Sequence, residues 1–302
     1  MFSRGVTKLF LFVSLAWLPL ALMPPAALGV DRRQRERALL AVVELVPLEA
    51  LPAGGFSLKG YTVDGFRFVR GNGSGSGSIV SADGLILTNA HVVSDSAGAT
   101  GLAPLIEVRL TFSPDQAARP SFLARVTHLD LRLDLAALQI VADASGQPVR
   151  PQHLPAMQVG DSNDLRLGDD LAVLGYPQVG GETITYTAGR VSGFVAENLR
   201  GAGRAFIKTD AKFSSGSSGG SALDEAGHLV AIPTAIVFDR AGGVPQESQN
   251  YLRPIAFALE MLKTPLPGTA KPMVCLEAAT NSGLRTSNPW LFTGCPVDSH
   301  PN

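Results

Sequence analysis

The chain has 302 residues, 45% of them hydrophobic and 17% charged, a balance that supports an extensive core and argues against pervasive disorder. Its 25 Lys and Arg against 26 Asp and Glu leave a formal net charge of −1, so a nucleic-acid partner is not expected. The length exceeds one average domain, yet folds of two barrels fill such a length as a single unit.

The chain opens with the grammar of a signal peptide. Arg4 and Lys8 precede an apolar run at 9–23, Pro24 and Pro25 follow, and Ala27-Leu28-Gly29 supplies the small residues of a cleavage site after Gly29. The run is broken by Pro19 and falls short of the roughly 20 residues of a membrane span. Residues 1–29 are therefore expected to be removed on export, which confines membrane contact to the uncleaved signal peptide and leaves a periplasmic or secreted chain.

Residues 30–54 read as a lead-in. The stretch 31–37 is mostly charged and 38–46 almost continuously apolar, which predicts a short helix that becomes a strand, ended by Pro47, Pro52 and the Gly54-Gly55 pair. Residues 71–78 alternate Gly with Asn and Ser, a composition that in isolation suits a flexible linker. Their surroundings argue otherwise: 78–80 and 85–88 flank Ala82-Asp83-Gly84, predicting a hairpin that delivers His91. Further short strands are predicted at 106–110, 124–127, 135–140, 170–174, 183–186, 189–194, 205–209 and 229–236. Their spacing, with Gly, Pro and Asp between them, is the rhythm of antiparallel barrels.

Only 254–263 has a helical pattern, with Ile255, Leu259 and Leu262 following a proline suited to a first turn. The barrel domain is thus expected to span 55–263. Residues 264–302 form a tail rich in Pro, Gly, Asn, Ser and Thr that carries the only two cysteines, Cys275 and Cys295. An even count in an oxidising compartment predicts one disulfide between them.

The chemistry centres on Gly216-Ser217-Ser218-Gly219-Gly220. Residues without bulky side chains let a substrate carbonyl approach the backbone, so the amides of Gly216 and Ser218 are candidates for an oxyanion hole and Ser218 for a nucleophile. The pentapeptide also fits the Gly-x-Ser-x-Gly nucleophile elbow of α/β-hydrolases, but that motif leads into a helix and is followed by an acid and a histidine. Here 219–236 reads as a turn and hairpin, while His228 sits in a predicted turn and His300 next to the C-terminus.

Upstream, His91 and Asp134 give the order His, Asp, Ser, which is that of the chymotrypsin type. A lone histidine in the apolar setting of His91 is ordinarily structural. Asp134, however, lies between Leu133 and Leu135-Ala136-Ala137-Leu138, where a carboxylate is costly without a partner, and an imidazolium would supply one. The predicted fold is all-β, two six-stranded antiparallel barrels with a short C-terminal helix. His128, Asp130, Asp83 and His153 have plain explanations as strand-edge, turn or loop residues. No metal-site spacing and no phosphate-loop Lys is present, so no metal and no cofactor is implied.

Several blocks carry a resemblance to HtrA/Deg-type serine proteases. Residues 75–78 through Thr88-Asn89-Ala90-His91-Val92-Val93 resemble the family's histidine block, and Asp134-Leu135-Ala136-Ala137-Leu138 its aspartate block. Gly160-Asp161-Ser162, Leu167-Gly168-Asp169 and Leu174-Gly175-Tyr176-Pro177 resemble its inter-barrel region. Thr209-Asp210-Ala211 through Gly220, continued by Thr234-Ala235-Ile236, resembles its serine block. The likeness spans roughly 41–259. It implies endopeptidase activity on polypeptides, chiefly unfolded proteins, is compatible with an oligomer, and places Phe213, Ile236 and Val237 around the pocket for the side chain preceding the scissile bond. Against the family pattern, Ser217 stands where Asn is usual, Ser221 replaces a proline, and Ser215-Gly216 replaces Pro-Gly. The tail after Lys263 is too short to form the family's PDZ domain, so regulation through such a domain is not expected. A catalytically silent binding protein on the same fold and an α/β-hydrolase esterase are the alternatives.

Overall fold

A computed structural model describes residues 32–51, 60–94, 101–178, 182–197, 203–237 and 249–266. Helix α1 (Arg32–Ala41) runs directly into strand β1 (Val42–Ala50), followed by β2 (Tyr61–Val63), β3 (Phe66–Arg70), β4 (Gly75–Ile79) and β5 (Leu85–Thr88). A single 3-10 turn at His91–Val93 precedes β6 (Leu105–Leu110), β7 (Arg119–Asp130) and β8 (Leu135–Asp143). The second half contributes β9 (Asp170–Gly175), β10 (Thr185–Val195), β11 (Phe206–Thr209), β12 (Ser221–Leu223), β13 (Leu229–Val237), β14 (Gln249–Pro254) and helix α2 (Ile255–Met261).

The first six-stranded barrel runs β1-β4-β5-β8-β7-β6 and closes through β1–β6 pairing, with every pairing antiparallel. The β2–β3 hairpin extends it: Leu48 to Ala50 of β1 pair with β3, beyond the part of the strand that pairs with β4. The second barrel, β10-β11-β14-β13-β12-β9, is closed. The fold predicted from the sequence is therefore the one observed, with the signal-peptide residues 1–29 and both cysteines lying outside the described residues.

The glycine-rich run is no linker. Residues 75–79 form β4 and are buried throughout. A side chain at Gly77 would meet Ile86 at 2.8 Å and Leu45 at 2.9 Å, so bulky residues of neighbouring strands fill the space that the glycine leaves. The predicted hairpin follows, with Gly84 at φ +90° donating its amide to Ser81.

Four expectations are corrected. Pro47 does not end the first strand: it lies inside β1, opposite Ile106, and its carbonyl accepts the Gly71 amide. The barrel consequently begins at Val42 rather than at residue 55, because β1 pairs on one edge with β4 and on the other with β6. The predicted strands 183–186 and 189–194 are one strand, β10, which pairs with β9 up to Arg190 and with β11 from Val191. On α2 the buried residues are Ile255, Ala258 and Met261, while Leu259 is 41% exposed.

One core joins the barrels. It unites Leu45, Ile86, Leu87 and Leu138 of the first with Leu174, Leu223 and Ile232 of the second and with Ile255 of α2. A second cluster, including Val173, Ile207, Val230 and Leu252, fills the second barrel. Burial on this scale, at about 25 cal/mol per Å² of apolar surface, makes the docked pair a single rigid frame for residues presented by either barrel.

Candidate active site

His91 opens the 3-10 turn after β5, and Asp134 sits one residue before β8. β5 and β8 are hydrogen-bonded neighbours with Thr88 opposite Ala136, so the sheet register brings these two chain segments together. Asp134 adopts φ +55°, a left-handed conformation that Asp tolerates better than most residues and that is costly enough to be kept mainly at functional sites. Asp130 shapes the same loop, its Oδ1 accepting the Leu133 amide at 2.9 Å.

The His91 ring and the Asp134 carboxylate are in contact. Nδ1 stands 2.8 Å from Oδ2 and 3.0 Å from Oδ1, and the His91 backbone amide donates to Oδ1 at 3.0 Å. Thr234 Oγ1 donates to Oδ2 at 2.8 Å. Asn89 Nδ2 donates to the Asp134 carbonyl at 2.7 Å and to Thr234 Oγ1 at 3.0 Å. A carboxylate that accepts at both oxygens is held in one plane, and beside it Nδ1 is the nitrogen that carries the proton of a neutral imidazole. Nε2 is then the basic nitrogen. Among the described residues neither Nε2 nor the Ser218 hydroxyl has a hydrogen-bond partner.

Ser218 follows a turn, Ser214 to Ser217, closed by the Ser217 amide on the Ser214 carbonyl at 3.0 Å. Gly216, third in that turn, has φ +93°. A positive φ there defines a type II turn, which differs from type I by a flip of the central peptide, and thus fixes the side on which the Gly216 N–H emerges. Gly216 has no room for a side chain, since a Cβ would lie 2.4 Å from the Tyr176 carbonyl.

In the four peptides from 215–216 to 218–219 every polar group but two is engaged within the protein, the Gly216 and Ser218 carbonyls by Ser76. The Ser215 carbonyl accepts the Gln178 amide at 2.8 Å and the Ser217 carbonyl accepts the Gly220 amide at 3.1 Å. The Gly219 amide donates to Pro233 at 2.9 Å. The two exceptions in these peptides, the amides of Gly216 and Ser218, donate to nothing among the described residues, as does the exposed Ser215 amide just before them. Unpaired N–H groups are uncommon in a buried loop, and a pair beside a serine is what an oxyanion would occupy.

Beside the loop lies a cavity of about 370 Å³, lined by Val173, Pro177, Thr185, Lys212, Phe213 and Ser217 among others. Of the predicted pocket residues, Phe213 lines it. Ile236 and Val237 lie at the end of β13, opposite Asn250 and Gln249, with their side chains outside the described residues. A larger cavity, about 430 Å³, is lined by Phe194, Arg204, Ile207 and Phe257 and contains none of the site residues. Among the described residues no group of His, Cys, Asp and Glu could hold a metal ion.

Three other polar residues have local partners. Asp83 pairs with Arg150 at 3.2 Å, and His128 with the Thr127 hydroxyl at 3.0 Å. His228 bonds Gln158 at 3.1 Å. Ser218 leads into strand β12 and not into a helix, so the nucleophile-elbow reading does not apply. Ser221, where the resemblance has a proline, bonds the Ser78 hydroxyl across the barrel interface at 2.6 Å. Thr234, Asn89 and Ser76 were not singled out from the sequence. Each stands inside a resembling block, but only the folded contacts distinguish them from their neighbours.

Two closed antiparallel barrels with a histidine–aspartate pair and a serine loop at their junction define the class of two-barrel serine peptidases. The chain belongs to the family of the trypsin-like peptidase domain, whose model matches residues 75–232. It is 35% identical over 175 residues to the periplasmic serine endoprotease DegP of Escherichia coli (strain K12), an overlap of 56% of this chain and 31% of that protein. It is 34% identical over 186 residues to Protease Do-like 5, chloroplastic, of Arabidopsis thaliana, covering 61% of this chain and 54% of the other. The solved HtrA-type protease AlgW with decapeptide superposes with a TM-score of 0.53 at 30% identity, over 76% of this chain and 65% of that one. The chain thus spans less than two thirds of the length of each of these relatives.

Proposed function

We propose that the chain is an exported serine endopeptidase in which Ser218, His91 and Asp134 act as one catalytic unit. The observation that carries this reading is the free amide pair of Gly216 and Ser218, held beside the nucleophile by peptides whose other polar groups are all engaged. Preorganised donors of this kind cost nothing to reorient as charge develops, and losing one typically raises the barrier by roughly 3 kcal/mol.

In the proposed reaction Ser218 Oγ attacks a peptide carbonyl carbon while its proton passes to His91 Nε2. The carbonyl oxygen becomes an oxyanion held by the two amides. The C–N bond breaks as Nε2 returns the proton to the leaving amine, which departs and leaves an acyl ester on Ser218. Water then attacks the ester, giving a proton to Nε2, and the collapse restores the Ser218 hydroxyl with release of the acid. Asp134 keeps Nδ1 protonated and stabilises the imidazolium in both halves.

Substrates are polypeptides, chiefly unfolded proteins, cleaved after small aliphatic residues. Export follows from the signal-peptide pattern with cleavage after Gly29. In an oxidising compartment Cys275 and Cys295 pair, closing a loop worth on the order of 3 kcal/mol in a chain-entropy treatment. The decisive experiment is covalent labelling of the purified mature protein with a fluorophosphonate, which requires nucleophile, base and oxyanion donors together. Stoichiometric modification at Ser218, abolished in Ser218→Ala and slowed strongly in His91→Ala, is expected. An unlabelled but folded wild-type protein would instead indicate a binding protein on the same fold.

A further inference from the structure

We propose that Ser76, on β4 of the first barrel, is a positioning residue of the oxyanion hole in the second barrel. The inference rests on the reading of the site as a serine peptidase. Its basis is a pair of hydrogen bonds across the barrel junction: the Ser76 amide donates to the Ser218 carbonyl at 2.9 Å, and the Ser76 hydroxyl donates to the Gly216 carbonyl at 2.7 Å.

These two carbonyls belong to the peptides on either side of the one that carries the Ser218 N–H. Peptides 216–217 and 218–219 are therefore gripped from the opposite barrel, and the peptide between them can turn only if one of those bonds breaks. The Ser76 hydroxyl has a single proton, given to Gly216, and its oxygen also accepts the Tyr176 amide at 2.8 Å. With donor and acceptor both used and the side chain fully buried, its rotamer is fixed.

Ser76 also links this loop to the base. Its carbonyl accepts the Thr88 hydroxyl at 2.7 Å, and Thr88 ends the strand that leads to His91. His91 rides on the first barrel and Ser218 on the second, so their separation depends on how the barrels dock. One residue bonded to the strand before the base and to the loop of the nucleophile holds that separation. The loop retains bonds within its own barrel, from Ser217 to Ser214 and from Gly219 to Pro233, so it should stay folded without Ser76 while losing its fixed orientation.

Ser78→Ala is the control. It removes an equally buried cross-barrel hydroxyl contact, Ser78 to Ser221, two residues along the same strand. The measurements are kcat and KM on a chromogenic peptide, affinity for a peptide boronate that forms a tetrahedral adduct, and hydrogen exchange of segment 214–220 by mass spectrometry. Ser76→Ala should lower kcat and boronate affinity about ten- to a hundredfold, less than the roughly 100- to 1,000-fold of deleting a donor outright, with KM within about twofold. Exchange in 214–220 should rise, and Ser78→Ala should leave all of these near wild type.

If Ser76→Ala does not fold, the nearly isosteric Ser76→Cys, a weaker donor, should show the same pattern at smaller size. Retained kcat in a folded Ser76 variant of an active protein, or equal losses in Ser76→Ala and Ser78→Ala, would overturn the proposal. A wild type inert towards peptide and boronate would instead overturn the peptidase reading, and exchange in 214–220 that rises only in the Ser76 variant would leave the clamp standing.

Discussion

Asp134 Oδ2 accepts a hydrogen bond from Thr234 Oγ1 at 2.8 Å and faces His91 Nδ1 at the same distance. The threonine comes from the second barrel and the other two residues from the first, so the carboxylate beside the proposed base is itself held across the junction. Two consequences can be measured. Asp134→Asn should lower kcat by about four orders of magnitude, because an amide favours the wrong imidazole tautomer. Thr234→Val, which keeps shape and removes one bond to a charged acceptor, should cost roughly ten- to a hundredfold. Steady-state kinetics on the purified variants tests both, and equal effects of the two substitutions would mean that the carboxylate does not act through the histidine.

Ser218→Ala and His91→Ala should each abolish casein cleavage without unfolding the protein. Both side chains stand at the junction and contribute chemistry rather than packing; His91 is 51% exposed in its side chain. Circular dichroism and thermal melts should match the wild type. Proteolysis surviving in either variant would remove that residue from the catalytic unit.

The residues proposed as catalytic are legible in the sequence because the chain order His, Asp, Ser and the flanking apolar runs already select a two-barrel arrangement. The positioning residues are not. Thr234 reads as one more β-branched residue of a buried strand, and Ser76 as one more residue of a flexible-looking run, because a hydroxyl's partner across two barrels leaves no local mark. The hairpin β2–β3 turns at Asp64-Gly65, and both residues have positive φ, at 52° and 78°, the conformation of a tight Asp-Gly hairpin turn. Strand β14, Gln249–Pro254, is masked in sequence by its polar residues, of which Asn250 and Arg253 are buried and bonded to Ala211, Ala205 and Glu197. Pro47 lies within β1 despite the expected break, because a proline interrupts a ladder only where its missing N–H is needed.

A buried charge cluster on the first barrel sets an acid limit to stability. Glu107 is fully buried on β6 and accepts from Arg70 Nε at 3.0 Å, with Tyr61 and Arg109 as its other donors. Burial alone would raise its carboxyl, but the bonds from Tyr61, Arg70 and Arg109 outweigh that and hold it below the usual carboxylate range. A lowered folded-state value means stability that is present above the ordinary glutamate range and lost as pH falls through the folded value. Tyr61 is displaced the other way, to about 12, by burial and by the adjacent carboxylate, so stability should fall again as pH rises above roughly 10. Glu107→Gln should cost about 1–3 kcal/mol at neutral pH, since Arg109 keeps its ion pair with Glu44 at 2.9 Å and the half-exposed Arg70 can turn to water. Urea unfolding across pH 3–7 tests this: the gap between wild type and variant should close on acidification, and a constant gap would show that the charge is not what stabilises the cluster.

The cavity beside Ser217 should decide where the enzyme cuts. Among the described residues its apolar lining comes from Val173, Pro177 and Phe213, its polar lining from Thr185, Thr187, Ser214 and Ser217, and its one charged residue is Lys212. Among the described residues no carboxylate lines it, so beside these groups a substrate Arg or Lys would bring its charge next to a cation without a counter-ion, an unfavourable exchange for its hydration. An acidic side chain would meet Lys212 as an exposed cation, where screening leaves an ion pair worth little. Small aliphatic residues make no such demand, and Phe213 supplies apolar surface to cover them. Cleavage is therefore expected after Val, Ala and Ile, and Phe213→Ala should shift it towards larger apolar residues by removing the ring from the pocket wall. A difference of one or two methylene groups is worth about 1–3 kcal/mol in a pocket of this kind, so the preference should be roughly ten- to two-hundredfold rather than absolute. Mass-spectrometric mapping of cuts in a denatured protein reads both variants directly: a majority of cuts after Arg or Lys, or an unchanged pattern in Phe213→Ala, would separate this cavity from the specificity pocket.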